Sequence, residues 1–342
     1  MALMKRKEWL AERATGLGGS DAAAVCGCSP WATPLDVYWD KVGHLDGLAG
    51  RKDEETADMR RGTLLEPAVL QLYTDETGIV VRKPEAALVS EQYPFMRANL
   101  DGLAVDQPLV IEAKTARYKV PPGGGDVAKR WGDPWTAEIP LVYLFQVQHN
   151  MVVSGLDVCH VPVLFGDFDF AVYEVPADRE FQELMIAEEA RFWAMVEART
   201  PPDPINDADI SKRWPISRPT QRKATQDALE IGGHLLAVRE YFKKLEAFKE
   251  SLEAELKRLM EEDEELVAGN EVICSWKTAK GRSMFDAKKF REDHPDLYSQ
   301  YAYQGAPSRR FLFKDKAAAV QIFKPMLQES LLPDRKLLGG KK

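Results

Sequence analysis

Cysteine is scarce in this chain and poorly placed for structural work. Only Cys26, Cys28, Cys159 and Cys274 occur in 342 residues. Their spacing matches no zinc template and does not supply the ligand set of an iron–sulfur nuclease, so ordinary thiols are expected. Long apolar runs are also missing: none approaches the roughly 18–20 residues of a membrane span. The opening residues, Met1 to Leu10, carry basic side chains with no apolar core behind them. That argues against a signal peptide and leads to an expectation of a cytoplasmic protein. Positive charge is in deficit, with 46 Lys and Arg against 54 Asp and Glu and a formal net charge of −8. Such a balance opposes bulk attraction to nucleic acid, so any DNA contact must use a local basic surface.

The chemistry concentrates in Asn99-Leu-Asp101-Gly and Leu109-Val-Ile-Glu112-Ala-Lys114. Val110, Ile111 and Ala113 are strand-compatible, and residues two apart on a strand share a face. Glu112 and Lys114 should therefore project together. Leu103 to Val105 reads as a second short strand, with Asp106-Gln107-Pro108 as the turn. A hairpin of this kind brings Asp101 towards Glu112. Two carboxylates at short range repel, and a divalent cation is one remedy. An oxygen-only ligand set favours Mg²⁺ or Mn²⁺ over zinc. A lysine beside such a cation can orient or deprotonate water, or hold a phosphate oxygen. These residue types suit metal-assisted phosphodiester hydrolysis. The alternative is a surface hairpin in which Glu112 and Lys114 merely pair.

Around this stretch, Arg13 to Asp21 is a glycine-rich turn in which Ser20 can cap the helix that follows. With Arg13 nearby, it is a candidate anion site. It is not a Walker A loop, because no Gly-Lys-Ser/Thr follows it. Arg61 to Pro67 is expected to open a helix, which places Glu66 in its first turn. There the carboxylate either complements the helix dipole or serves as a third acid facing a metal. Pro121 to Gly125, continuing through Trp131 and Trp135, suggests a mobile contact loop. Ile139 to Met151 reads as a helix whose Tyr143, Gln146 and Asn150 form one polar stripe, with Gln148 off it. Strands at 157–163 and 168–175 and a helix at 178–199 complete an α/β (α+β) unit.

Five ordered motifs carry a resemblance: Arg13 to Asp21, Gly62-Thr-Leu-Leu-Glu66, Asn99-Leu-Asp101-Gly, Ile111-Glu112-Ala-Lys114 and Tyr143-x-x-Gln146-Val-Gln148. Together they resemble the YqaJ-like viral recombinase family, the phage lambda-type alkaline exonucleases, over residues 8–198. The resemblance implies a PD-(D/E)xK core with a mixed central sheet flanked by helices. It implies that Asp101, Glu112 and the carbonyl of Ala113 hold Mg²⁺, with Mn²⁺ as a substitute, and that Glu66 joins them. Lys114 would position or activate the attacking water, and Gln146 would complete the site. Arg13 and Ser20 would bind a DNA 5′-phosphate, with Tyr143 and Gln148 on the DNA-binding side. A single-strand annealing partner and a homo-oligomeric ring are further implications. The expected activity is 5′-to-3′ exonuclease action on linear duplex DNA. An endonuclease or structure-specific nuclease with the same site and a non-catalytic DNA-binding or assembly protein are the alternatives.

Beyond a nuclease domain at 1–200, prolines mark a linker at 201–220. A long helix or coiled coil is expected over 221–268, bent or broken near Gly232-Gly233. Its apolar residues, from Val238 to Leu259, recur at three- and four-residue spacing. Residues 269–342 read as a small module with strands at 271–278 and 309–314. There Lys277, Lys280, Arg282, Lys288, Lys289, Arg309 and Arg310 mix with Trp276, Phe285, Tyr298, Tyr301 and Tyr303. This mixture suits DNA backbone contact and base stacking. The alternative is a module with its aromatics in a core.

Overall fold

The computed structural model describes residues 12–45, 56–117, 131–166, 169–281, 283–305 and 309–312. Expectations for Pro121 to Gly125, Arg282 and the segment beyond 312 lie outside these residues. The chain divides into two units, Met1–Trp214 and Pro215–Lys342.

In the first unit, β1 (Leu17–Gly18) leads into α1 (Gly19–Val25), α2 (Pro34–Leu45) and α3 (Ala57–Thr77). Short strands follow: β2 (Val81–Arg82), β3 (Leu88–Val89), β4 (Met96–Ala98), β5 (Gly102–Ala104), β6 (Val110–Ile111) and β7 (Lys114–Ala116). Then come α4 (Leu141–Ser154), the longer strands β8 (Val158–Phe165) and β9 (Phe170–Pro176), α5 (Arg179–Glu197) and α6 (Asp207–Arg213).

Two sheets organise these pieces. In the small one, β4 pairs parallel with β1 and antiparallel with β3. In the large one, β2, β5 and β6 pair antiparallel in turn, while β6 and β7 both run parallel to β8. The registers Ile111 to His160 and Lys114 to Val163 show that β6 and β7 lie end to end along one edge of β8. Strand β9 takes the other edge, antiparallel. The sheet is therefore mixed, as expected from the sequence. Gly102 is required where β2 crosses β5, because a Cβ there would lie 2.2 Å from the Val81 side chain.

Alternation along β8 directs the layers. Cys159, Val161 and Val163 pack with Val147 and Met151 of α4 and Ala22 and Ala23 of α1. On the opposite face, Ile111, Ala104 and Val172 pack with Tyr73 of α3. His160, also on that face, bonds through Nδ1 to the Tyr73 hydroxyl at 2.7 Å. A third cluster joins α1, α2 and α5 through Val25, Val37, Tyr38 and Phe192.

Three local expectations change. Helix α3 begins at Ala57, where Thr56 accepts from the Met59 amide at 3.2 Å, so Glu66 lies well past the first turn. Its position therefore owes nothing to the helix N-terminus. Helix α1 begins at Gly19 with Gly18 as N-cap, so Ser20 is not the cap. The Asp21 carboxylate instead reaches back to accept from the Gly18 amide at 3.2 Å. Trp131 is 4% exposed, packed against Phe165 and Tyr173, and is a core residue rather than a contact surface. Residues 207–213, within the proline-marked stretch, form α6. It is tied at both ends to the start of α2: Thr33 donates to Asp209 in its first turn at 2.9 Å and Lys212 in its last turn to Asp36 at 2.5 Å.

In the second unit, α7 (Gln226–Met260) runs unbroken through Gly232-Gly233. It ends at Met260, eight residues short of the expected limit at 268. Residues 265–268 instead form β10 (Glu265–Ala268), which pairs antiparallel with β11 (Glu271–Ser275) around Gly269-Asn270. The glycine, at φ 63°, supplies the left-handed turn. Helices α8 (Ala287–Asp293) and α9 (Pro295–Tyr301) follow. Phe242, Phe248, Leu252, Leu256 and Leu259 of α7 are exposed, as are Trp276, Phe285, Tyr301 and Tyr303. These last four aromatics are therefore not in a core. Among the described residues, no helix is long and apolar enough to cross a membrane.

Candidate active site

Asp101 occupies the crossover where the chain leaves β4 of the small sheet and enters β5 of the large one. Glu112 and Ala113 fill the gap between β6 and β7. The Glu112 amide donates to the His160 carbonyl at 3.0 Å, keeping the ladder with β8. Successive strand residues turn their backbone groups to opposite neighbours, so Ala113 directs its amide and carbonyl to the β5 side. There the amide donates to Oδ2 of Asp101 at 2.9 Å.

Glu112 is 2% exposed and held from three directions. Its Oε1 accepts from Nζ of Lys114 and from Nε2 of Gln146, each at 2.5 Å. Its Oε2 accepts from Nδ2 of Asn150 at 2.9 Å. Lys114 also donates to Oε1 of Gln146 at 3.0 Å, which closes a ring of three side chains. Gln146 and Asn150, four residues apart, face the sheet together from α4. The ammonium of Lys114 stands 5.2 Å from the centre of the Tyr143 ring, one turn earlier on the same helix.

Burial, and next the neighbouring charge of Glu112, push the Asp101 carboxyl well above its usual range; Glu66 adds to this. Lys114 and the Ala113 amide act in the opposite direction. Burial disfavours the Lys114 ammonium, but Glu112 and Asp101 outweigh it and hold its pKa above the ordinary lysine value. Crowded acids with one desolvated member are the signature of a site that gains by taking a cation. Asp101, Glu112 and the Ala113 carbonyl form a hard, oxygen-only set that fits Mg²⁺ or Mn²⁺. Among the described residues, no three His, Cys, Asp or Glu side chains converge as a metal cluster. Oε1 of Glu66 accepts from Lys83 at 2.5 Å, and its charge bears on Asp101.

Arg13 and Ser20 are brought together, with the guanidinium donating to the serine oxygen at 2.9 Å. Buried Asp21 organises this corner. It pairs with Lys41 at 2.8 Å and with Arg13 at 3.5 Å, while Lys41 donates to the Arg13 carbonyl. Arg13, Gly18, Arg97 and Asn99 line a shallow pocket beside it. Gln148 does not belong to either group. It is buried between α4 and α5, donating to the Pro176 carbonyl and accepting from Asp178 and Gln182. Its side chain cannot face DNA from there, so its expected DNA-binding role is corrected to an interhelical one. Asp21, Lys41, Lys83 and Arg97 were not singled out from sequence. Asn150 was placed on the polar stripe but not in the site.

The mixed sheet presents an aspartate at a crossover and a Glu-x-Lys pair at its interrupted neighbouring strand, the arrangement expected of a PD-(D/E)xK core. The chain belongs to the YqaJ-like viral recombinase family, whose domain matches residues 8–157. It is similar to the uncharacterized protein YqaJ of Bacillus subtilis (strain 168), with 30% identity over 321 residues. That alignment covers 91% of this chain and 95% of the relative. Among solved structures, it is similar to the alkaline exonuclease LHK-Exo from Laribacter hongkongensis at a TM-score of 0.45 and 24% identity, covering 56% of this chain and 93% of that one. A phage related exonuclease from Haemophilus somnus 129PT matches at a TM-score of 0.39 and 12% identity, covering 54% and 96%.

Proposed function

We infer that this chain is a Mg²⁺-dependent deoxyribonuclease that degrades one strand of linear duplex DNA from a 5′ end. The observation that carries this reading is the ring of Lys114, Glu112 and Gln146 closed beside Asp101. A DNA-binding module has no use for buried acids facing a phosphate backbone. Membership of a viral recombinase family supports the DNA substrate. The remaining 3′ strand would feed an annealing protein in phage-type recombination. A homo-oligomer in the cytoplasm belongs to the same reading.

Asp101, Glu112 and the Ala113 carbonyl would hold the cation, which polarises the phosphate and lowers the pKa of water. Lys114 holds its ammonium where it can donate to a phosphate oxygen or orient the attacking water. Gln146 fixes Lys114 and Glu112 relative to each other. Water oxygen bonds to phosphorus, the bond to the 3′ oxygen of the departing nucleotide breaks, and that oxygen takes a proton. The shortened strand keeps the phosphate at its new 5′ end. Arg13 and Ser20 would therefore meet the same group after every cycle, consistent with an exonuclease that works repeatedly from one end.

The test uses linear duplexes with and without a 5′-phosphate, a nicked circle and a closed circle. Each is incubated with Mg²⁺, with EDTA, or with the Lys114→Ala protein. Mononucleotide release from the phosphorylated linear strand, abolished by EDTA and by the substitution, is the expected result. Cutting of the closed circle would replace the exonuclease by an endonuclease with the same site. DNA binding with no cleavage would leave only the non-catalytic reading.

A further inference from the structure

Trp31 has no role in the chemistry above, yet it belongs to a ladder of rings that begins at that chemistry. It follows Ser29-Pro30 in the turn between α1 and α2, where its amide donates to the Ser29 hydroxyl at 3.2 Å. Its side chain is 62% exposed. The indole lies 6.2 Å from the Tyr143 ring, centre to centre, tilted by 40°. Tyr143 in turn stacks on Trp131 at 5.4 Å and 27°. Trp131 is anchored in the core against Phe165 and Tyr173. The Tyr143 ring, fixed from behind, is the one that carries the Lys114 ammonium at 5.2 Å.

We propose that Trp31 is a stacking platform for a nucleobase of the strand being degraded, placed one ring away from Lys114. This rests on the nuclease reading and adds a base subsite to it. Two contacts, 6.2 and 5.2 Å, separate the exposed indole from the lysine that would face the scissile phosphate. A base attached to that part of the strand is the flat apolar surface within reach. Bases freed from pairing stack on aromatic side chains without regard to sequence, as an enzyme that consumes any strand requires. Charge favours the same occupant. A chain of net charge −8 gains little from long-range attraction to DNA, so uncharged stacking adds affinity that electrostatics does not provide. The rigid backing matters too, because Tyr143 and Trp131 hold their planes before DNA arrives and little ordering is left to pay at binding.

The experiment measures equilibrium binding by fluorescence anisotropy in EDTA, with the full-length protein. The probe is a 5′-phosphorylated duplex whose last three base pairs are mismatched. Three further probes each carry an abasic site at one of those nucleotides of the 5′ strand. Trp31→Ala is expected to weaken binding about tenfold, the scale of one base–aromatic stack. An abasic site at one position should weaken the wild-type protein by a similar factor and leave Trp31→Ala unchanged. Trp31→Phe should retain most of the affinity. The loss should be equal at low and high salt, because no phosphate contact is removed. Unaltered circular dichroism and melting are expected for so exposed a side chain. Trp31→Ala binding like the wild type, or losses that multiply between variant and abasic probe, would overturn the proposal. A Trp31→Ala defect that appears on every probe and disappears at high salt would also overturn it. Wild-type cleavage in Mg²⁺, scored in parallel, separates the two readings. If it is absent the nuclease reading fails as well, and if it is present only the stacking subsite falls.

Discussion

Asn150 holds the one oxygen of Glu112 that Lys114 and Gln146 leave to it, with Nδ2 donating to Oε2 at 2.9 Å. Both residues are buried, so neither can exchange its partner for water without cost. The hydrogen bond fixes the plane of the carboxylate and hence the direction of its free lone pairs. Asn150→Leu removes the donor and should destabilise the protein by about 1–3 kcal/mol. Asn150→Asp adds a second acid against Glu112 and should be worse. For Asn150→Leu, the Mg²⁺ concentration at half-maximal activity is expected to rise severalfold. Thermal melts and a Mg²⁺ titration check this. A normal Mg²⁺ midpoint in a variant that melts early would reduce Asn150 to a packing residue.

Lys83 and Glu66 make the opposite test. Their contact lies at the open side of the acid group, and Lys83 is 62% exposed. Its hydrogen bond to Glu66 raises its pKa first, against burial, with the charges of Glu66, Asp101 and Glu112 adding to this. Removing this cation leaves the acids more negative and takes one positive charge away from the DNA side. Lys83→Ala should therefore lower the Mg²⁺ midpoint and raise KM for DNA, each a few-fold, with stability changed by less than about 1 kcal/mol. A shift of both quantities in the same direction would contradict this account. The salt slope of DNA binding should fall by about one unit if Lys83 meets a phosphate.

These two pairs also mark what sequence could and could not reveal. Asp101, Glu112 and Lys114 were legible because a short hairpin and a two-residue strand spacing bring them together locally. Helical periodicity put Gln146 on the polar stripe of α4, and the family resemblance carried it into the site. Lys83 lies 17 residues from Glu66, and Lys41 lies 20 from Asp21, on separate elements, so no local pattern joins them. Gln148 shows the reverse error. The family resemblance put it on the DNA side, but the helix turns it towards α5, where three hydrogen bonds satisfy it. The helix expected over 221–268 runs past the observed end at Met260, because no proline or glycine interrupts the sequence between Met260 and Gly269. The glycine at 269 turns the chain instead, and residues 265–268 pair with 271–275.

Two glycines predict opposite signs for the same substitution. A Cβ on Gly19 would lie 2.5 Å from Oδ1 of Asn150 and 3.0 Å from the Gln146 carbonyl, so α1 can seat on α4 only if that position is bare. Gly19→Ala should cost about 1–3 kcal/mol and disturb both active-site residues of α4. A Cβ on Gly62, inside α3, meets nothing within 4 Å. Gly62→Ala should stabilise by about 0.5–1 kcal/mol, since alanine loses less backbone freedom in a helix. Denaturant unfolding of both variants decides the matter, and a stabilised Gly19→Ala would refute the close packing of α1 on α4.

The pH dependence of stability should be governed in part by His149, far from solvent. Its Nε2 lies 2.9 Å from the Arg97 carbonyl, which can only accept, and its Nδ1 lies 2.9 and 3.1 Å from the two oxygens of Glu189. Both ring nitrogens are then donors, which describes an imidazolium facing a carboxylate. Burial opposes that charge, but Glu189, the Arg97 carbonyl and more distant Asp21 outweigh it and raise the pKa above the ordinary 6.5. A histidine with a raised folded pKa contributes stability that is complete below its unfolded value and is lost as pH climbs through the folded one. The melting temperature should therefore decline on the alkaline side of 6.5. Glu189→Gln removes the charge that holds the proton, so His149 should become neutral and this decline should flatten, from a lower starting stability. Melting curves from pH 6 to 10 for the two proteins test the difference. Parallel slopes would show that His149 is neutral in the folded protein and that the pair is a hydrogen bond without charge.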